Sequence, residues 1–148
     1  MAEFKYQEPF PIQKDSTEYR LLTKDYVKTI EVEGRKILKI QKEGLELLAR
    51  EAYTDVSFYL RASHLQKLAN ILKDPEASDN DKFVAHTMLM NQVVAAAGEL
   101  PTCQDTGTAI AIGKKGENVW TDGNDAEAIS KGVFETYRDH NLRYSQVV

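Results

Sequence analysis

The period of the apolar positions changes along the chain, and each change marks an element. From Tyr26 to Val32 and from Arg35 to Ile40 the residues are rich in Val, Ile and Thr, with Glu33-Gly34 between them. Two such runs around a two-residue turn predict a β-hairpin. Beyond it, Leu45, Leu48, Ala49, Ala52, Val56, Tyr59 and Leu60 recur at spacings of three and four, which places them on one helical face. A second helix is predicted from a Ser63 cap, with Leu65, Leu68, Ala69 and Leu72 on its apolar face and Asp74-Pro75 as its stop. Ser78 followed by Asp81 has the form of a capping box, opening a helix with Phe83, Thr87, Met90, Val94 and Ala97 on one face and Gly98 at its end.

The period then shortens. Thr108, Ile110 and Ile112 alternate with Ala109 and Ala111, and Gly113 to Gly116 turns the chain toward Val119-Trp120, which predicts a second hairpin. Asn124, with Glu127 three positions on, caps a predicted last helix from Asp125 to Arg138, whose core side carries Ala128, Ile129, Gly132, Val133, Thr136 and Tyr137. The first twenty or so residues, with Pro9 and Pro11 and no steady period, read as an extended arm over 1–20. The fold class is therefore α+β: one mainly helical domain over 1–148 with two β-hairpins. No polar tail follows the final helix, so the reading is of a domain cut short at its C-terminal end.

Composition narrows the function classes. A chain of 148 residues, 42% of them hydrophobic, can form one domain that buries roughly 70% of its unfolded surface. The net charge of -4 is mixed along the chain without a basic block, which argues against a nucleic-acid partner. Apolar runs fall far short of the ~20 residues of a membrane span, and no leader pattern opens the chain, so a soluble, cytoplasmic protein is expected. The one cysteine, Cys103, excludes an internal disulfide framework and cannot by itself build a zinc or iron-sulfur site.

Chemistry concentrates between the third helix and the second predicted hairpin. Residues 100–109 bring together a thiol, an amide, a carboxyl and three hydroxyls, and junction loops can hold polar groups on a rigid support. Taken alone, Cys103 reads as a small buried hydrophobe, whereas its neighbours Gln104 and Asp105 suit a wet pocket better than a core. Asp105 alone reads as a turn former beside a strand. Asp105-Thr106-Gly107 also spells the short aspartic-protease signature, in which two aspartates share a proton. That chemistry calls for apolar strand residues before the aspartate and an all-β body, and neither is present.

The nine residues from Pro101 to Ala109 resemble the cluster-ligand motif of class I fumarate hydratases. Phe58 to Arg61 with His64, Asp74 to Ser78 continuing through Phe83, and Asn141 to Gln146 resemble the same family in the same order, so the likeness runs from about Thr17 to Gln146. L-tartrate dehydratase α subunits share the cysteine motif, but the long entry with its hairpin looks more like the single-chain fumarases.

The resemblance implies the amino-terminal part of a larger hydro-lyase that interconverts fumarate and malate on a 4Fe-4S cluster held by three cysteines. It assigns Cys103 to the first ligand, Gln104 and Asp105 to the substrate hydroxyl, with Asp105 as proton donor to leaving water, and Arg143 to a substrate carboxylate. A guanidinium suits that last task because it binds a carboxylate through two parallel hydrogen bonds. The other two ligands and the carbon base have no match here and are expected from the remainder of the same polypeptide. A homodimer is implied for the intact enzyme.

Other candidates carry less. His64, His86 and His140 are too scattered for a metal site. Lys114 and Lys115 lie in a turn without a phosphate-loop pattern, and Asp122 to Asp125 lacks calcium-loop spacing. The competing functions are a tartrate or related hydroxy-dicarboxylate dehydratase and a non-catalytic binding or assembly domain.

Overall fold

A computed structural model describes residues 3–8, 11, 18–103 and 107–143. Strands β1 (Val27–Val32) and β2 (Arg35–Ile40) are followed by helices α1 (Lys42–Phe58), α2 (Ala62–Ile71) and α3 (Asp79–Ala96), then strand β3 (Val119–Thr121) and helix α4 (Asp125–Asp139). The class is α+β, as the periodicity predicts.

β1 and β2 pair antiparallel, with Ile30 opposite Ile37 and Val32 opposite Arg35. Glu33 and Gly34 both have positive φ, at 50° and 75°, the left-handed pair that matches a tight turn to the twist of its strands. The second predicted hairpin is not formed. β3 joins the sheet next to β2, parallel to it, with Leu38 opposite Val119, giving the order β1-β2-β3. A parallel neighbour needs a long crossover, and α1 to α3 supply it. Among the described residues, 107–116 form no strand or helix.

The packed centre is the pair α1 and α4. Ala49 and Phe58 of α1 and Ala128, Gly132, Thr136 and Tyr137 of α4 are buried. Small residues let the two backbones approach closely, and the fully buried Thr136 hydroxyl donates to Arg50 O at 2.9 Å. Ion pairs Lys131–Glu46 (2.7 Å) and Arg50–Asp139 (3.2 Å) span the rim of this contact. Such half-exposed pairs add at most about 1 kcal/mol each, so the apolar seam carries the packing. The α4 face agrees with the one read from the sequence.

The α3 face does not. Phe83, Met90 and Val94, read as part of one helical face, are 68%, 49% and 51% exposed, while Ala85, Gln92 and Ala95 are the buried ones. α3 is apolar on more than one side, and its small residues give the closest fit to the rest of the chain. Two caps also differ. α2 starts after Arg61, which is extended at φ -63° and ψ 142°, so Ser63 lies inside the first turn and caps nothing. Asn124 does precede α4, but its left-handed backbone (φ 56°, ψ 35°) leaves its side chain without a capping hydrogen bond; a capping side chain needs extended backbone to reach back to the first turn. The box at α3 forms as predicted, with Asp81 N donating to Ser78 Oγ and Ser78 N to the Asp81 carboxylate.

No helix among the described residues is long and apolar enough to cross a membrane. Residues 3–8 and 18–20 of the expected arm lie outside any helix or strand. Arg20 ties its end to α1, donating to Asp55 at 2.9 Å and Glu51 at 2.7 Å.

Candidate functional site

Cys103 is an exposed free thiol, yet the chain leading to it is held firmly. Thr102 N donates to Ser57 O at 2.8 Å, in the last turn of α1. Thr102 O accepts from Asn91 Nδ2 at 2.6 Å, and Thr102 Oγ1 donates to Gln92 Oε1 at 3.2 Å. Gln92, buried to 6% exposure, donates its amide to Phe58 O at 2.7 Å. One residue of α3 therefore clamps both the carboxyl end of α1 and the residue before the thiol. Buried amides need all their partners, and here donor and acceptor are both used.

The clamp sets Cys103 on the rim of a cavity of about 760 Å³. Leu45, Leu48, Ala52 and Val56 of α1 form one wall, and Thr108 to Gly113 form another. This wall is most of the α1 face read from spacings of three and four, so that, apart from Ala49 against α4, the stripe lines a cavity. Tyr53 and Tyr137 also line it, and burial, then the neighbouring Tyr137, push the Tyr53 phenol above its usual 10.0. The Tyr53 hydroxyl therefore keeps its proton at neutral pH.

Arg143 lies just past a built helix end. Asn141 is left-handed at φ 50°, Asn141 N donates to Arg138 O at 3.4 Å, and Leu142 N to Tyr137 O at 2.9 Å. This is a Schellman stop, with Leu142 and Tyr137 both buried as its apolar contact. Arg143 emerges, exposed, one residue beyond that anchor. It does not line the Cys103 cavity among the described residues; the link between them is Tyr137, which lines the cavity and anchors Leu142. Gln104 and Asp105 lie outside the described residues.

Among the described residues no group of three His, Cys, Asp or Glu is placed to hold a metal ion. One accessible thiol fits a single ligand of a shared centre and no more. His140 packs edge-on against Phe58, with ring centroids 5.1 Å apart, and lies 3.4 Å from Thr54 Oγ1, while His64 and His86 are exposed. The sequence reading missed Asn91 and Gln92; their only signal is two adjacent amides on a helix face that is otherwise apolar.

Comparison with known proteins decides the family. The family model described as Fumarate hydratase (Fumerase) matches residues 46–148. This chain belongs to the fumarate hydratase family. It is 59% identical over 143 residues to the aerobic class I fumarate hydratase of Escherichia coli strain K12, covering 97% of this chain and 26% of that protein. The anaerobic class I fumarate hydratase of the same strain is matched at 59% with the same coverage. Fumarate hydratase 2 of Leishmania major is 52% identical over 121 residues, 82% of this chain and 21% of that relative. The chain thus spans about a quarter of the length of its bacterial fumarate hydratase relatives.

Proposed function

We propose that this chain supplies one wall of the active site of a fumarate hydratase, a hydro-lyase that adds water to fumarate to give malate. Family membership supports the reaction class, and the observation that carries the reading to a site is the exposed Cys103 thiol, held by the Thr102–Gln92 clamp at a cavity rim. In this reading Cys103 is one of three thiolate ligands of a 4Fe-4S cluster, and the other two come from the part of the family-length polypeptide outside this match. When bound, the cluster supplies a Lewis-acidic iron for the substrate hydroxyl.

The chain's own residues act around it. Gln104 orients the substrate hydroxyl by hydrogen bonding. In the dehydration direction a protonated Asp105 carboxyl gives its proton to the departing hydroxyl, forming water, and in hydration the Asp105 carboxylate takes that proton back. Arg143 holds a substrate carboxylate through paired N–H donors. The carbon-bound proton is taken by a base outside this chain. The intact enzyme works as a homodimer in the cytoplasm.

The test grafts this chain in place of the matched quarter of the Escherichia coli aerobic enzyme under anaerobic conditions, with iron, sulfide and malate turnover measured together. The graft should hold the cluster and turn over malate, and Cys103→Ala should abolish both. A fully active Cys103→Ala graft refutes the ligand role, and turnover of tartrate in preference to malate refutes the substrate.

A further inference from the structure

Residues 108–113 carry the alternation of a strand, yet 109–113 make none of the backbone bonds of one. No backbone–backbone hydrogen bond is made by Ala109, Ile110, Ala111, Ile112 or Gly113 among the described residues. Ile110 is 73% and Ile112 71% exposed. On the inner side the segment is not packed down either: it borders the 760 Å³ cavity toward α1 and a second of about 670 Å³ toward α4. A run of branched and small apolar residues with free amides and an open face is an adhesive edge, which proteins cover or pair. A nearly continuous apolar run is also the mark of a strand buried on both faces.

We infer that residues 108–112 form an interior strand of the assembled enzyme, paired along its backbone by a β-strand from the family-length polypeptide outside this match; this rests on the proposed function above. Area favours that occupant over a second copy of the chain. The chain exposes 12163 Å² at 16.7 kDa, where a folded monomer of that mass exposes about 7,600 Å². The excess, part of which is the extended arm ahead of β1, is several times the roughly 800 Å² that each partner buries in a dimer of standard size. The bacterial relatives, of which the chain covers 26%, have polypeptide enough to cover it. The same pairing fixes both sides of the Cys103 loop: Thr102 is clamped to α3 on one side, and the paired strand secures the other.

Amide hydrogen exchange read by mass spectrometry tests the pairing on this chain alone, on the graft described above and on the natural Escherichia coli aerobic enzyme. In the chain alone, amides 109–113 should exchange nearly as fast as in an unfolded peptide, and in the graft and the natural enzyme about 100-fold or more slower. Protection that grows with concentration in the chain alone assigns the edge to a second copy and overturns the inference. A natural enzyme or graft that turns over malate with these amides still unprotected overturns the inference and leaves the function standing. Protected amides in a folded but inactive graft support the pairing and count against the function.

Discussion

A methyl group on Gly132 would stand 2.9 Å from the Ala49 Cβ and 2.9 Å from Arg50 N, and nearer still to Glu46 O. The atoms in the way are mostly α1 backbone, which cannot turn aside as a side chain can. Gly132→Ala gains helix propensity of about 1 kcal/mol but must push α4 away from α1, along the seam that buries Tyr137 and Thr136. Overpacking of this kind costs about 1–3 kcal/mol, and the separation of two helices puts this case at the upper end. Thermal unfolding should fall by about 3–9 °C, and Ala49→Gly should not restore it because Glu46 O remains in place. An unchanged or raised midpoint for Gly132→Ala would show that the helices are not in this contact.

What the sequence revealed divides along that seam. The α4 stripe was legible because α1, within the same chain, covers it. The α3 stripe of Phe83, Met90 and Val94 was a weaker guide, because α3 is apolar on more than one side, and these side chains are exposed while Ala85, Gln92 and Ala95 are the buried ones. The α1 stripe behaves alike, with Val56 66% exposed over the cavity. The alternation at 108–112 predicts one strand of a second hairpin, but the segment forms no strand here and β3 pairs with β2 instead. Cys103 is exposed, which agrees with a wet pocket rather than a core. Its support was not legible, because a side chain that bonds backbone 34 residues away, as Gln92 does to Phe58, leaves no period.

Gln92 is accordingly the residue whose loss should disturb the thiol without touching it. Gln92→Ala removes the donor to Phe58 O and the acceptor for Thr102 Oγ1, and leaving such partly buried groups unmatched costs about 1–3 kcal/mol. Alkylation of Cys103 by a bulky maleimide should change in rate, because only the Asn91 bond then ties the Thr102 segment to α3. Gln92→Glu keeps the acceptor and, once ionised, loses the donor to Phe58 O, and burial raises the introduced carboxyl above its ordinary value. Its stability is fully present below the unfolded value and is lost as pH rises through the folded one. A Gln92→Glu variant whose unfolding midpoint is flat between acid and neutral pH would contradict the clamp.

The α3 cap gives an acid-side prediction of opposite sign. Hydrogen bonds from the Ser78 hydroxyl and then the Ser78 backbone N–H hold the Asp81 carboxyl below its ordinary 3.8. A depressed carboxylate stabilises the fold fully above that ordinary value, and the contribution disappears as pH falls through the lower folded one. Ser78→Ala should lower the unfolding midpoint by about 2–4 °C at neutral pH and move the Asp81 titration, followed by carboxyl NMR, up toward 3.8. An unmoved titration would mean the box is not closed in solution.

The turn that presents Arg143 separates backbone geometry from side-chain chemistry. Asn141 occupies a left-handed conformation at φ 50°, which glycine adopts at no steric cost and alanine at about 1–2 kcal/mol. Asn141→Gly should therefore preserve the stop and Asn141→Ala should loosen it, freeing Leu142 from Tyr137. If Arg143 holds a substrate carboxylate, the effect on the grafted enzyme is specific: Asn141→Ala raises KM for malate several-fold, Asn141→Gly leaves it near the parent value, and Arg143→Lys raises it further, since a single ammonium cannot make the paired hydrogen bonds of a guanidinium. Cluster content should be the same in all three, which separates misplaced substrate binding from a damaged metal centre. Equal KM values across the three variants, with equal cluster content, would remove Arg143 from the substrate site and leave the Asn141 turn with a purely structural role.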